Sequence, residues 1–220
     1  FKQKTAYEIK ECDWSSDVCF PIFEEACKDL AGVSASQVEM QSGIQFYDGI
    51  TTAEIQEILI RSASDLIDLD HPNYQFVAAR LLLFALRKQL FGRMHECTTV
   101  KQHVLRAVGR GVYDSEILDL YTDEEFEKLE SFIDHSRDYL FTYAGLRQVV
   151  DKYLVQDRSS GELYETPQFM YLLIAATIFS KYPKETRLDY VRKYYDAISK
   201  HKRSEEHTSE LQSHSFISYA

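Results

Sequence analysis

The stretch PNYQFVAARLLLFALRKQLFG, residues 72–92, decides the fold class. Pro72 suits the first turn of a helix, where its missing amide is one that has no partner anyway, and Gly92 is placed to end it. Between them the run Leu81 to Leu86 is apolar on every side, which predicts a central helix running to about Phe91. Upstream, Ile55, Ile58, Leu59, Leu66 and Ile67 recur near three-and-four spacing, the apolar stripe of a second helix. Helix starts are punctuated by capping boxes at Ser36-x-x-Glu39, Thr51-x-x-Glu54, Thr99-x-x-Gln102 and Thr122-x-x-Glu125, where a hydroxyl and a carboxylate or amide satisfy orphan backbone donors. Further helices are expected at about 99–108, 122–134, 142–152, 167–181 and 184–200. One interruption, Tyr153-Leu-Val-Gln followed by Asp157-Arg-Ser-Ser-Gly161 and Glu162-Leu-Tyr-Glu165, reads as a small β-hairpin. There is no βαβ alternation and no internal repeat. The expected class is therefore mainly α, a helical bundle with a small β-hairpin.

Composition sets the outer bounds. The 220 residues carry 25 Lys+Arg against 35 Asp+Glu, a net charge of −10, and 45% are hydrophobic, enough for a sizeable core. The acidic balance argues against an electrostatic nucleic-acid binder, because neutralising phosphates needs a basic face. Only 8 Gly and 4 Pro beside 15 Tyr and 13 Phe exclude collagen-like and disordered classes. The longest apolar stretch, Phe169 to Phe179, is too short to span a bilayer, and no signal-peptide pattern is expected at the start. Cysteines at 12, 19, 27 and 97 show neither zinc-site spacing nor a disulfide framework, so no metal site is expected.

The two ends read differently from the body. Residues 203–214, RSEEHTSELQSH, have no period, and one back-translation has a reverse complement containing GAC TGG AGT TCA GAC GTG TGC. That DNA encodes Asp-Trp-Ser-Ser-Asp-Val-Cys, the peptide standing at Asp13 to Cys19. An inverted DNA repeat at both ends looks like translated sequencing-adapter sequence, so residues 1–22 and 203–220 are set aside as artefactual or suspect.

Within the body, several clusters invite a chemical reading. Gly109-Arg-Gly111 lacks the preceding strand and following Lys-Ser/Thr of a phosphate loop and is expected to end a helix. Asp65, Asp68 and Asp70 lack the glycine and closing glutamate of a calcium loop and read as a solvated helix end. Asp134, His135 and Asp138 read as a polar network at a helix end. Arg87 and Lys88, two cations beside an apolar core, either complement the helix C-terminus or reach a phosphate. Tyr190, Tyr194 and Tyr195 read as packing with hydroxyl hydrogen bonds.

As a set, Ser36-Gln-Val-Glu39, Ile44-Gln-Phe-Tyr-Asp-Gly-Ile50, Ala78-Ala-Arg80, Phe132-Ile-Asp-His135, Lys152-Tyr-Leu-Val-Gln156, Phe179-Ser-Lys-Tyr-Pro183, Glu185-Thr-Arg187 and Tyr195-Asp-Ala197 resemble the N-terminal region of the large (α) subunit of class Ia ribonucleoside-diphosphate reductase. The similarity runs from about Glu25 to Lys202. The resemblance implies a partial ATP-cone at residues 23–95 and the helical N-terminal domain of the subunit at 96–202, preceding a catalytic α/β barrel that is absent from the chain.

The family's cone is a regulatory module in which ATP supports activity and dATP suppresses it. By motif, Thr52 and Ile55 match residues at the start of the cone's helix near the nucleotide, and Lys88 matches a phosphate-contacting lysine. A helix start and a lysine point charge suit those roles. Gln56 and Ala85 stand where some members have histidines, and the lid hairpin pattern Val-x-Lys-Arg-x-Gly is replaced by the adapter-like segment. Without that lid, weak or undetectable ATP binding is expected.

No catalytic residue is expected here, since Cys27 and Cys97 match no catalytic cysteine of the family. The parent would reduce ribonucleoside diphosphates to deoxyribonucleotides in the cytoplasm, with a small (β) subunit, large-subunit self-association and thioredoxin or glutaredoxin as reductant. It would hold no metal in this subunit, and would bind neither nucleic acid nor membrane. An alternative of another class is a non-catalytic helical nucleotide-sensing or subunit-assembly module.

Overall fold

The computed structural model describes residues 20–200 apart from 44, 48, 96 and 158. Most of both adapter-like ends lies outside the described residues, whereas residues 20–22 open the first helix. Among the described residues the order is α1 (Phe20–Cys27), α2 (Ala35–Gly43), α3 (Thr52–Asp65), α4 (Tyr74–Phe91), α5 (Val100–Gly109), α6 (Glu116–Leu120), α7 (Asp123–Phe132), a 3₁₀ segment (His135–Leu140), α8 (Tyr143–Lys152), α9 (Pro167–Phe179) and α10 (Arg187–Ser199). No helix of the described residues is long and apolar enough to cross a membrane.

Three of the four expected capping boxes form, at Thr51–Glu54, Thr99–Gln102 and Thr122–Glu125. The fourth does not, because α2 begins at Ala35 and places Ser36 inside the helix. There the preceding residue, Ser34, gives its amide to the Tyr74 hydroxyl at 3.0 Å, so a long-range contact fixes the start. Pro72 likewise stands before α4 rather than in it, in a turn closed by Gln75 N to Pro72 O at 3.2 Å. Gly92 ends α4 as expected, at φ 79°, with its amide on the Lys88 carbonyl. Gly111, at φ 70°, follows the end of α5 in a turn.

The expected hairpin shrinks to one antiparallel bridge, Gln156 with Leu163. A side chain takes the next ladder donor, the Val155 amide going to the Glu165 carboxylate at 2.9 Å, and in the turn Asp157 Oδ1 accepts the Ser159 and Ser160 amides. A turn held by its own side chains has no need of a longer ladder.

The buried apolar residues form two clusters. The first is built on α4, with Leu83 and Val77 at 0% exposure, and takes in Phe23, Val38 and Leu59 from α1–α3. It also takes in Phe141, Leu146, Val150, Leu154 and Met170, so one core joins residues on both sides of position 95. The second gathers α5, α7, α9 and α10 around Val104, Leu129, Phe169, Leu172 and Tyr195. Arg187 is buried there, donating through Nε and Nη2 to the two oxygens of Glu125, with the Leu120 and Ser180 carbonyls accepting too. Forked geometry of this kind lets a charge be buried without an orphan donor.

Candidate functional site

The N-terminal end of α3 and the C-terminal end of α4 meet. Thr52 and Leu59 of α3 and Leu81 and Lys88 of α4 line the wall of one cleft. The cleft is shallow, with a cavity volume of about 70 Å³, and is lined by Ile22, Thr52, Ile55, Gln56, Leu59, Leu81, Phe84, Ala85, Lys88 and Met94. The structure thus brings Thr52, Ile55 and Lys88, assigned from separate helices, to one place. Its polar lip consists of Thr52, Gln56 and Lys88; its floor is aliphatic and aromatic, with Ile55, Leu59, Leu81 and Phe84 all buried. An apolar floor under a few convergent polar groups is the usual build of a small-ligand pocket.

Two charged groups lie near the cleft, Glu54 at the start of α3 and Lys88 at the end of α4. The capping box engages the Glu54 amide with Thr51 Oγ1, and the Glu54 carboxylate accepts from the Thr51 amide at 2.8 Å and from the Tyr47 hydroxyl at 2.9 Å. The Thr51 hydroxyl, ahead of the Thr51 amide and Tyr47, holds that carboxyl below its ordinary range. An ionised Glu54 in the first turn offsets part of the positive helix end, while exposed Lys88 is the cation in the cleft lining.

Sequence reasoning missed Ile22, which it placed in the suspect segment, and the wall residues Leu59, Leu81, Phe84 and Met94. Leu81 and Phe84 lie in a run apolar on all sides, so periodicity gives no sign of which face opens onto a cleft. Ile22 had no signal before α1 was seen to carry it to the core.

Of the paired cations, the structure separates the two roles. Lys88 faces the cleft, whereas Arg87, 4% exposed, donates through Nη2 to Asp138 Oδ2 at 3.0 Å and to the His135 carbonyl at 2.9 Å. The network that the sequence suggested forms only in part: Asp138 bonds to Arg87 and Gln168 and Asp134 to Ser136 and Arg137, whereas both ring nitrogens of His135 are buried without a hydrogen-bond partner. Burial pushes Asp138 up to about 6, against the pull of Arg87 and the Gln168 amide. Asp68 accepts the His71 amide at 2.6 Å, a local cap. Among the described residues no group of three His, Cys, Asp or Glu is placed to hold a metal ion. Burial raises both the Cys27 and the Cys97 thiol, which makes them poor nucleophiles. Tyr195 is fully buried and hydrogen-bonded, while Tyr190 and Tyr194 pack around Phe179.

A helical module with a small-ligand cleft, followed by a second all-helical layer, is the class this geometry defines. Residues 22–89 match the ATP cone domain family, and residues 139–204 match the all-alpha domain of ribonucleotide reductase. The chain belongs to the ribonucleoside-diphosphate reductase alpha-subunit family, over the region that holds these two domains. It is 52% identical over 178 residues to ribonucleoside-diphosphate reductase 1 subunit alpha of Salmonella typhimurium, covering 81% of this chain and 23% of the relative. It is 51% identical to that of Escherichia coli over the same shares. With the alpha subunit of Enterobacteria phage T4 it shares 42% over 170 residues, 76% of this chain and 22% of the relative. The chain therefore spans less than a quarter of the length of these relatives.

Proposed function

We propose that the α3–α4 cleft binds an adenine nucleotide, ATP or dATP, as an allosteric effector, and that this portion of the alpha subunit senses nucleotide rather than performing catalysis. The observation that carries the reading is the convergence of Thr52, Ile55 and Lys88 on one cleft inside the residues that match the ATP cone. Phosphates meet Lys88 and the start of α3, each charge-assisted contact contributing about 1.5–3 kcal/mol, and the base lies on the apolar floor. In the whole alpha subunit the activity is reduction of ribonucleoside diphosphates, in the cytoplasm, with a beta subunit, alpha–alpha association and thioredoxin or glutaredoxin as reductant. This portion supplies none of the reacting thiols and binds no metal.

Chemical-shift titration with ATP tests the cleft, since it reads weak binding. Shifts are expected around Thr52, Ile55 and Met94; Lys88→Ala weakens them markedly, and Lys200→Ala, at the end of α10, leaves them unchanged. Equal titrations for the two variants show that Lys88 is only a helix-end cation. Grafting a family lid hairpin before Glu24 is expected to tighten binding by covering the base.

A further inference from the structure

The α4 wall of the cleft is tied from behind to the 3₁₀ segment. On α4, Arg87 and Lys88 are sequence neighbours, about 100° apart around the helix axis, so one faces Asp138 while the other faces the cleft. Asp138 is 1% exposed and both its oxygens are engaged, Oδ2 by Arg87 and Oδ1 by the Gln168 amide at 2.9 Å. Gln168 Oε1 accepts from the Tyr195 hydroxyl at 2.8 Å, and the Tyr195 oxygen accepts the Asp134 amide at 2.8 Å. Gln168 and Tyr195 are fully buried. One turn pair back on α4, Arg80 donates to the Ala26 carbonyl at 3.1 Å, near the end of the helix that carries Ile22. The Arg80 and Arg87 guanidiniums both lie against the Tyr139 ring, at 5.3 and 5.7 Å from its centre.

We propose that the buried Arg87–Asp138 pair is a positioning device that holds the last turn of α4 so that Lys88 faces the bound anion, and that it couples occupancy of the cleft to α9 and α10 through Gln168 and Tyr195. This rests on the reading of the cleft as a nucleotide site and adds how that site reports to the second helical layer. The last turn of a helix is where fraying begins, because its carbonyls lack intrahelical partners. Arg87 opposes that fraying from the side away from the ligand, with a partner that is itself immobilised by Gln168. An anion that draws Lys88 inward loads the same turn, and the load passes to Asp138 and onward along bonds between fully buried groups. Coupling of this kind is reciprocal: a change at Gln168 or Tyr195 alters affinity in the cleft by the factor by which nucleotide alters their surroundings.

The test replaces the pair by apolar side chains of similar volume, Arg87→Met with Asp138→Leu, a change that buried ion pairs often tolerate without loss of fold. Single Arg87→Lys serves as the conservative variant. In the unaltered chain, ATP is expected to shift the amide resonances of Gln168 and Tyr195 as well as those lining the cleft. In the double variant, with its melting temperature within a few degrees, the ATP dissociation constant is expected to rise about fivefold or more, a size typical of coupled sites. The Gln168 and Tyr195 responses should vanish, and amides 88–91 should exchange faster without ligand. Arg87→Lys should recover part of each effect. Unchanged ATP affinity in a folded double variant, or cleft shifts in the unaltered chain with none at Gln168 and Tyr195, overturns the coupling alone. Absence of any ATP-dependent shift in the unaltered chain overturns the nucleotide reading and the coupling with it, and faster exchange at 88–91 in the double variant then still separates a structural pin from an effector device.

Discussion

His103 offers a pH test of how dry the second core is. The side chain, 2% exposed, stacks on Phe169 at 4.1 Å and 9°, and its Nε2 lies 3.2 Å from the Tyr113 hydroxyl. Tyr113 spends its proton on Glu165, so His103 Nε2 carries the hydrogen and donates to Tyr113. Burial, helped by Arg106 and His135, lowers His103 to about 4 from its ordinary 6.5. A base whose folded value lies below its unfolded one leaves the unfolded state binding more protons in that window. Stability is then full above 6.5 and is lost as pH falls toward 4. Linkage with those two values gives a loss of about 2 kcal/mol on going from about pH 7 to about pH 5, roughly 4–8 °C in melting temperature for a domain of this size. Other groups titrate in the same range: His135 is also lowered to about 4, and Asp138 is raised to about 6 with the opposite sign. The measurement is therefore a difference. His103→Gln keeps a donor for Tyr113 but cannot ionise, and urea denaturation of both proteins at both pH values cancels what they share. The unaltered chain should lose about 2 kcal/mol more than the variant. Equal losses would falsify the assignment of His103 as a neutral, desolvated side chain.

Three further perturbations test the packing. Arg187→Met leaves Glu125 buried without its cation and should cost about 3–5 kcal/mol in urea denaturation; a cost under about 1 kcal/mol would mean that water reaches the pair. Leu83→Ala, at 0% exposure in the centre of α4, should cost about 2–5 kcal/mol, whereas Leu69→Ala, at 100% exposure, should stay within about 0.5 kcal/mol. Similar effects at the two sites would refute the central placement of α4. Thr99→Ala, which removes the hydroxyl accepting the Gln102 amide, should cost about 1 kcal/mol and speed amide exchange in the first turn of α5.

How much was legible follows from the range of each interaction. Capping boxes act over three residues, so Thr51–Glu54, Thr99–Gln102 and Thr122–Glu125 could be read directly. Where a start depended on a distant group, as with Ser34 and Tyr74, the local pattern pointed two residues too far along. The hairpin failed for a related reason: alternation shows which residues could pair, but not that Glu165 would take the Val155 amide. Asp138 was visible as part of a polar group, yet nothing in its neighbours in sequence named Arg87, 51 positions away, as its partner.

The sequence by itself determined the helical class, most helix boundaries, the family, and the candidacy of Thr52, Ile55 and Lys88. These rest on periods, local caps and motif order, all of which are written along the chain. Convergence of Thr52 and Lys88 was expected from the order of the two helices, but only the tertiary structure decided that Ile22 and Met94 complete the wall of their cleft, and that adjacent Arg87 and Lys88 face different ways into different chemistry. The reason is geometric. A helix turns about 100° per residue, so neighbours diverge in space, while antiparallel packing brings together the start of one helix and the end of the next. Which face of an all-apolar helix meets which partner is then set by the fit of side chains across the core, a property of the assembled fold that no single segment carries.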